Sequence, residues 1–96
     1  MDKVTKDKLD KYFKITNEAL KMAKESGSKL NMPDVRADFI DMVERYVSDA
    51  KHFENKGKIV LAFAALNYAH GWLDAGARIG LFDVHDSRLF TVDSLD

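Results

Sequence analysis

The segment from residue 58 to residue 80, KIVLAFAALNYAHGWLDAGARIG, constrains the fold more than any other part of the chain. It has the length of one long helix, and from Ile59 to Leu66 it contains no polar residue. A helix that is apolar on most of its circumference needs neighbours on several sides. The segment therefore predicts the central helix of an all-α fold.

Small residues recur along this segment at near-helical spacing. Ala62, Ala65, Ala69 and Gly76 would let a neighbouring backbone come close, and Trp72 would give that contact its bulk. A glycine in a helix interior costs about 1 kcal/mol relative to alanine. The sequence therefore predicts close packing at Gly76, and the same expectation applies to the other interior glycine at position 71.

Two amphipathic helices precede the central one, at residues 5–25 and 33–55. Apolar residues recur in both with the helical period, and charged residues lie between them. Thr5 is placed to cap the first helix, Gly27 to end it, and Pro33 to begin the second. The turn around Gly57 is so short that the second helix and the third, at residues 58–79, must lie antiparallel and adjacent.

The last segment, residues 80–96, is acidic but keeps the apolar residues of a packed element. A disordered tail would not need Leu81, Phe82, Leu89 and Phe90. We expect the tail to fold back across the third helix or to be held by a partner. The sequence thus predicts one domain, an up-down-up three-helix bundle with a short C-terminal tail packing on it.

Charge and cysteine content exclude several kinds of protein. Among the 96 residues, 15 basic and 16 acidic side chains nearly cancel, so nucleic acid is an unlikely partner in spite of the lysines on the first helix. The absence of cysteine excludes disulfides and thiolate metal sites. The N-terminus lacks the apolar core of a signal peptide, and no apolar run is long enough to span a bilayer. We expect a cytoplasmic protein that does not bind membranes.

A polar stripe on the third helix is the candidate site. Asn67, His70, Asp74 and Arg78 follow one another at spacings of three, four and four residues, so they share a face. His70 and Asp74 could bind a metal or form an acid/base pair, and Arg78 could hold an anion. The alternative is that the stripe is the solvent side of the helix, with an ion pair between Asp74 and Arg78.

Carboxylates on the second helix, at Asp34, Asp38, Asp41 and Glu44, are interpreted as a solvated acidic face. A di-metal site in a bundle needs inward-facing Glu-x-x-His pairs, and the sequence has none. We therefore expect no metal and no cofactor.

Residues 45–53 (RYVSDAKHF) and 62–78 (AFAALNYAHGWLDAGAR), with LFDV at 81–84 and LFTV at 89–92, resemble the archaeal family catalogued as domain of unknown function 357. The segment AALNYAHGWLDAG is the most specific part of the resemblance, and it contains the polar stripe from Asn67 to Asp74. The resemblance implies a small helical bundle from an archaeal cytoplasm. It implies no activity.

The leading functional expectation is a non-catalytic module that binds a protein partner or forms a homodimer through the third helix and the tail. The reason is the surplus of apolar surface after two neighbouring helices have been covered. The expected surface consists of Ile59, Phe63, Leu66, Trp72, Phe82 and Phe90. The alternative is a small hydrolase, or a nucleotide- or metal-binding protein, that uses His70, Asp74 and Arg78.

Overall fold

A computed structural model describes residues 3–91 of the chain, and within them it contains three α-helices and no β-strand. The helices are α1 (Lys6–Glu25), α2 (Pro33–Asn55) and α3 (Ile59–Ile79). Each begins and ends within one residue of the predicted boundary, and the helices pack against one another. The predicted all-α bundle is therefore confirmed.

The helix ends follow local chemistry. Thr5 caps α1 as expected, because its Oγ1 accepts a hydrogen bond from the Lys8 amide at 3.1 Å. Gly80 ends α3 with φ of +90°, a conformation that favours glycine. The expectation that Gly27 ends α1 was wrong. Ser26 takes that position in an extended conformation, and its hydroxyl donates to the Ala23 carbonyl at 2.8 Å.

The central position of α3 is clear from the two hydrophobic clusters that form the core. Ala62, Ala65 and Leu66 belong to the cluster near the start of α3, and Ala69 and Leu73 belong to the cluster near its end. Ring contacts join α3 to α2 along its length. The Phe39 and Trp72 rings meet edge to face at a centroid distance of 4.9 Å, and those of Tyr46 and Tyr68 do so at 4.5 Å.

The two interior glycines of α3 differ in their surroundings. A methyl group at Gly76 would lie 2.3 Å from Cε2 of Phe82, far inside van der Waals contact, so the predicted close packing is present there. At Gly71 nothing lies within 4 Å of the same methyl position, and the residue is exposed. The expectation of close packing was therefore wrong for Gly71, which faces outward.

The tail folds back onto the helices, as predicted, as far as the structure describes it. Leu81, Phe82, Val84, Leu89 and Phe90 are all at most 4% exposed. Residues 92–96, the end of the predicted tail, lie outside the described residues. The tail is therefore part of the core and completes the bundle.

Arg36, on α2, joins three segments that are far apart in sequence. Its terminal nitrogens donate to the carbonyls of Ala23, Ser26 and Leu81 at 2.7–2.9 Å. Its guanidinium carbon also lies 5.3 Å from the ring centroid of Phe82. A fixed cation at carbonyls near the C-terminal end of α1 also complements the helix dipole. Arg36 thus ties the tail and the end of α1 to α2.

The charged faces of α1 and α2 are solvated. Asp34, Asp38, Asp41 and Glu44 are all exposed. The most enclosed charged pair joins the ends of these helices at Glu54, which accepts from Lys6 at 2.8 Å and is only 8% exposed. This hydrogen bond, with a second from Lys51 at 2.9 Å, lowers the pKa of the Glu54 carboxyl below its ordinary 4.5. None of the helices in the described part of the chain could cross a membrane.

Candidate functional site

The predicted polar stripe is divided by the structure. Asn67, His70 and Asp74 line one groove of about 410 Å³ between α1, α3 and the tail. Arg78 is exposed and is not among the residues that line this groove. The fold therefore brings three of the four predicted residues together and leaves Arg78 outside the groove.

His70 is hydrogen-bonded to the tail. Its Nε2 lies 2.5 Å from the Leu89 carbonyl oxygen. A carbonyl can only accept, so this nitrogen carries the hydrogen and donates it. The side chain is 22% exposed, and its ring lies near that of Phe90, at a centroid distance of 6.4 Å. The Nε2 atom that an acid/base mechanism could use is thus occupied by the backbone.

Asp74 is also occupied by the tail. Its Oδ1 accepts the backbone N–H of Thr91 at 3.0 Å and lies 4.0 Å from Nε2 of His70. The ion pair expected between Asp74 and Arg78 does not form among residues 3–91. Within the same residues, no three histidine, aspartate or glutamate side chains converge to hold a metal ion. His70 and Asp74, which are one turn apart on α3, therefore each bind a backbone group of the tail, at Leu89 and at Thr91.

The expected interaction surface requires a correction. Leu66, Phe82 and Phe90 are at most 2% exposed, because α1, α2 and the tail enclose α3 on several sides. Ile59, Phe63 and Trp72 are half-buried, and their rings or chains pack against neighbouring helices. In the folded chain Leu66, Phe82 and Phe90 therefore belong to the core and are not available to a partner.

A different part of α3 is exposed, and we call it the free face. Its large members are Val60 (67% exposed), Leu61 (48%), Tyr68 (55%) and Ile79 (50%). Its small members, Ala64, Gly71 and Ala75, are exposed between them. In contrast to the exposed sides of α1 and α2, α3 has no lysine, arginine, aspartate or glutamate from Ile59 to Leu73. Near its end, exposed Arg78 lies on the same side of the helix as Val60, five turns later.

Two further exposed apolar residues lie on the loop between α1 and α2. The amides of Lys29 and Leu30 both donate to the Gly80 carbonyl at 2.8 Å, which holds this loop against the end of α3. Leu30 is 38% exposed and Met32 is 45% exposed. Together with the four large members of the free face, these are all the exposed large hydrophobic residues in the described part of the chain.

The free face is ridged. Tyr68 borders two shallow hollows of about 340 and 470 Å³. Gly71 and Ala75 lie in the first hollow, and Leu61 and Ala64 lie in the second. Trp72 also lines the first hollow, and Phe53 and exposed Asp49 of α2 also line the second. An aromatic ring between two hollows is a shape that another helix can fit by ridge-into-groove packing.

The free face was missed at the sequence level because α3 is apolar all round, and so its periodicity does not say which side stays exposed. A signal was nevertheless present. Ala64, Gly71 and Ala75, with Tyr68, follow the helical spacing on the side opposite the buried line of Ala62, Ala69 and Gly76.

Comparison with known proteins relates the chain to a protein family. The family model described as "Protein of unknown function (DUF357)" matches residues 11–82, which include most of α1, all of α2 and α3, and the first tail residues. No curated protein and no solved structure matches the chain.

Proposed function

The chain belongs to the DUF357 family of proteins of unknown function, and we propose that it is a non-catalytic interaction module that binds a protein through the free face of α3. The observation that carries this proposal is the distribution of exposed apolar side chains. All the large ones among the described residues lie on the free face or on the loop that is hydrogen-bonded to the end of α3. Exposed apolar side chains gathered on one helix face, beside helices whose exposed sides are charged, are typical of a binding surface.

The proposal keeps the role expected for α3 but changes the residues. Val60, Leu61, Tyr68 and Ile79 provide the apolar contact, and the small residues between them admit a partner's side chains. The tail serves the surface indirectly. By covering the other side of α3 it leaves one face open and holds that helix in place.

A charge placed in the middle of the free face tests this proposal. The chain is compared with the variants Ala64→Glu and Ser48→Glu by size-exclusion chromatography of lysates from its native cell that are first treated with a lysine-reactive crosslinker, so that weak assemblies survive dilution. Both positions are exposed and lie inside helices, so neither substitution disturbs the core. We expect the unmodified chain and the Ser48 variant to elute in an assembly and the Ala64 variant to elute at the size of one chain. An unmodified chain that elutes alone would contradict the proposal.

The alternative function, a hydrolase or a nucleotide- or metal-binding protein, has less support. Its two central residues, His70 and Asp74, are hydrogen-bonded to tail backbone, and Arg78 is outside their groove. A ligand that binds only the folded chain must raise its melting temperature. A clear rise on addition of nucleotides or divalent cations would favour this alternative over the interaction module.

A further inference from the structure

We infer that the partner on the free face is a second copy of this chain, whose α3 lies antiparallel to the first across a twofold axis. This inference rests on the proposed function, since it names the occupant of the same surface. Its basis is the order of large and small residues in the middle of the free face, from Ala64 to Ala75, which is complementary to its own reverse.

The complementarity is centred between residues 69 and 70. In an antiparallel pair, residues on either side of the twofold axis lie opposite each other. With the axis at this point, residue i of one α3 lies opposite residue 139 − i of the other. Tyr68 then lies opposite Gly71, and Ala64 lies opposite Ala75. The largest side chain in the middle of the free face therefore meets the position with no side chain, and two alanines permit close approach on either side.

A parallel pair would not fit in this way. Equal residues would face each other, so Tyr68 would meet Tyr68 and Gly71 would meet Gly71. The two tyrosine rings would then hold the helices apart, and the two glycines would face each other across a gap. The antiparallel arrangement also aligns the two helix dipoles favourably. No charge lies on α3 from Ile59 to Leu73, so the pairing buries no ion there. Exposed Arg78 lies opposite Leu61, where its stem can cover the leucine while its guanidinium stays in water.

The free face is large enough for a weak dimer. From Leu61 to Ile79 it is about 27 Å long, at 1.5 Å per residue. With a width on the order of 15 Å and the relief of its side chains, each chain would bury roughly 500 Å², or roughly 1,000 Å² in total, near the lower limit for a specific interface. We therefore expect a dissociation constant on the order of tens of micromolar.

The first test is sedimentation equilibrium of the purified full chain from about 5 to about 500 µM, a range that brackets this constant. The average mass should rise from that of one chain toward that of two. Gly71→Gln should stay at one chain over the same range, because its side chain occupies the space needed by the opposite Tyr68. Nothing lies within 4 Å of a Cβ at this position, so the variant should fold, and its circular dichroism verifies this. Ser48→Gln, on the exposed side of α2, is the matched control and should dimerise normally.

The second test establishes direction. The chain has no cysteine, so single engineered thiols report on one position at a time. An equimolar mixture of Ala64→Cys and Ala75→Cys chains should form the mixed disulfide, with little of either homodisulfide. In the antiparallel pair two copies of position 64 are about 16 Å apart, which is too far for a disulfide.

Each result decides something definite. A dominant disulfide between two copies of position 64 would overturn the antiparallel arrangement. A purified chain that stays monomeric at about 500 µM would overturn the second copy as partner. If the chain nevertheless elutes in an assembly from its native lysate, and Ala64→Glu abolishes that assembly, the proposed function is supported and the partner is a different protein. If both experiments give a single chain, the proposed function fails as well.

Discussion

The two glycines in the interior of α3 predict opposite effects of the same substitution. Replacing either with alanine adds one methyl group and improves helix propensity by about 1 kcal/mol. At Gly71 the methyl group meets nothing within 4 Å. Gly71→Ala should therefore increase the free energy of unfolding by about 0.5–1 kcal/mol.

Gly76→Ala should instead destabilise the fold. Its methyl carbon would lie 2.3 Å from Cε2 of Phe82, and ordinary contact begins near 3.4 Å, so the ring must retreat by about 1 Å. Phe82 is 1% exposed, with Arg36 over its ring, so that movement disturbs the packed tail. Overpacking of this kind costs about 1–3 kcal/mol. If we take the upper part of that range, about 3 kcal/mol, because the overlap is severe, and subtract the gain in propensity, the net loss is about 2 kcal/mol.

Urea denaturation of the two variants and the unmodified chain measures both changes. It is done at a protein concentration well below that at which chains would pair, so that only folding is observed. The variants should differ by about 3 kcal/mol and lie on opposite sides of the unmodified chain. In thermal unfolding, each 1 kcal/mol corresponds to roughly 4–8 °C for a chain of this size. Equal effects at the two positions would refute the packing of Phe82 against Gly76.

Three further predictions concern the contacts that hold the bundle and the tail together. Arg36→Met should lower the free energy of unfolding by about 2–3 kcal/mol, because carbonyls from two other segments lose a charged donor. Glu54→Gln should be less stable than the unmodified chain at pH 7, and the difference should shrink in acid. Folding lowers the pKa of Glu54, so the carboxylate contributes to the free energy of unfolding at any pH above its pKa in the unfolded chain. That contribution is lost as the pH falls through its pKa in the folded chain. Asp74→Ala should speed hydrogen exchange of the Thr91 amide about tenfold, the effect of losing one hydrogen bond worth about 1.4 kcal/mol.

Each of these predictions has its own control. Arg45→Met, also on α2, removes only a pair with exposed Asp41 and should cost less than about 0.5 kcal/mol. An equal cost at both arginines would contradict the role given to Arg36. For Glu54, urea unfolding between pH 3 and pH 7 is the measurement, and parallel profiles for variant and unmodified chain would refute the shifted pKa. Asp74→Asn keeps an oxygen that can accept the Thr91 amide, so it should preserve most of the protection that alanine removes.

The helices and their caps were predictable because they depend on local chemistry. Thr5 caps α1 through the amide three residues later, and Gly80 ends α3 through its own backbone conformation. The close contact at Gly76 was also predictable, since a glycine inside a helix needs a reason to be there. These features require no knowledge of how the chain folds back on itself.

The features that were missed depend on contacts between distant segments. Arg36 looks like one more charged residue on an amphipathic helix, because its partners are backbone carbonyls and leave no trace in the sequence. His70 and Asp74 looked like a reactive pair, since the spacing gives their common face but not the tail backbone they bind. In the same way, Leu66 and Tyr68 could not be assigned to core and surface until the sides covered by neighbours were known.

The central claim, that the free face of α3 is a binding surface, is tested most directly by photo-crosslinking in the native cell. A photoreactive phenylalanine analogue replaces Tyr68 in one version of the chain and Arg45, exposed on α2, in another. We predict a discrete covalent adduct from position 68 and none from position 45, with an adduct of twice the chain's mass if the partner is a second copy. No adduct from position 68, or the same adducts from both positions, would contradict the claim.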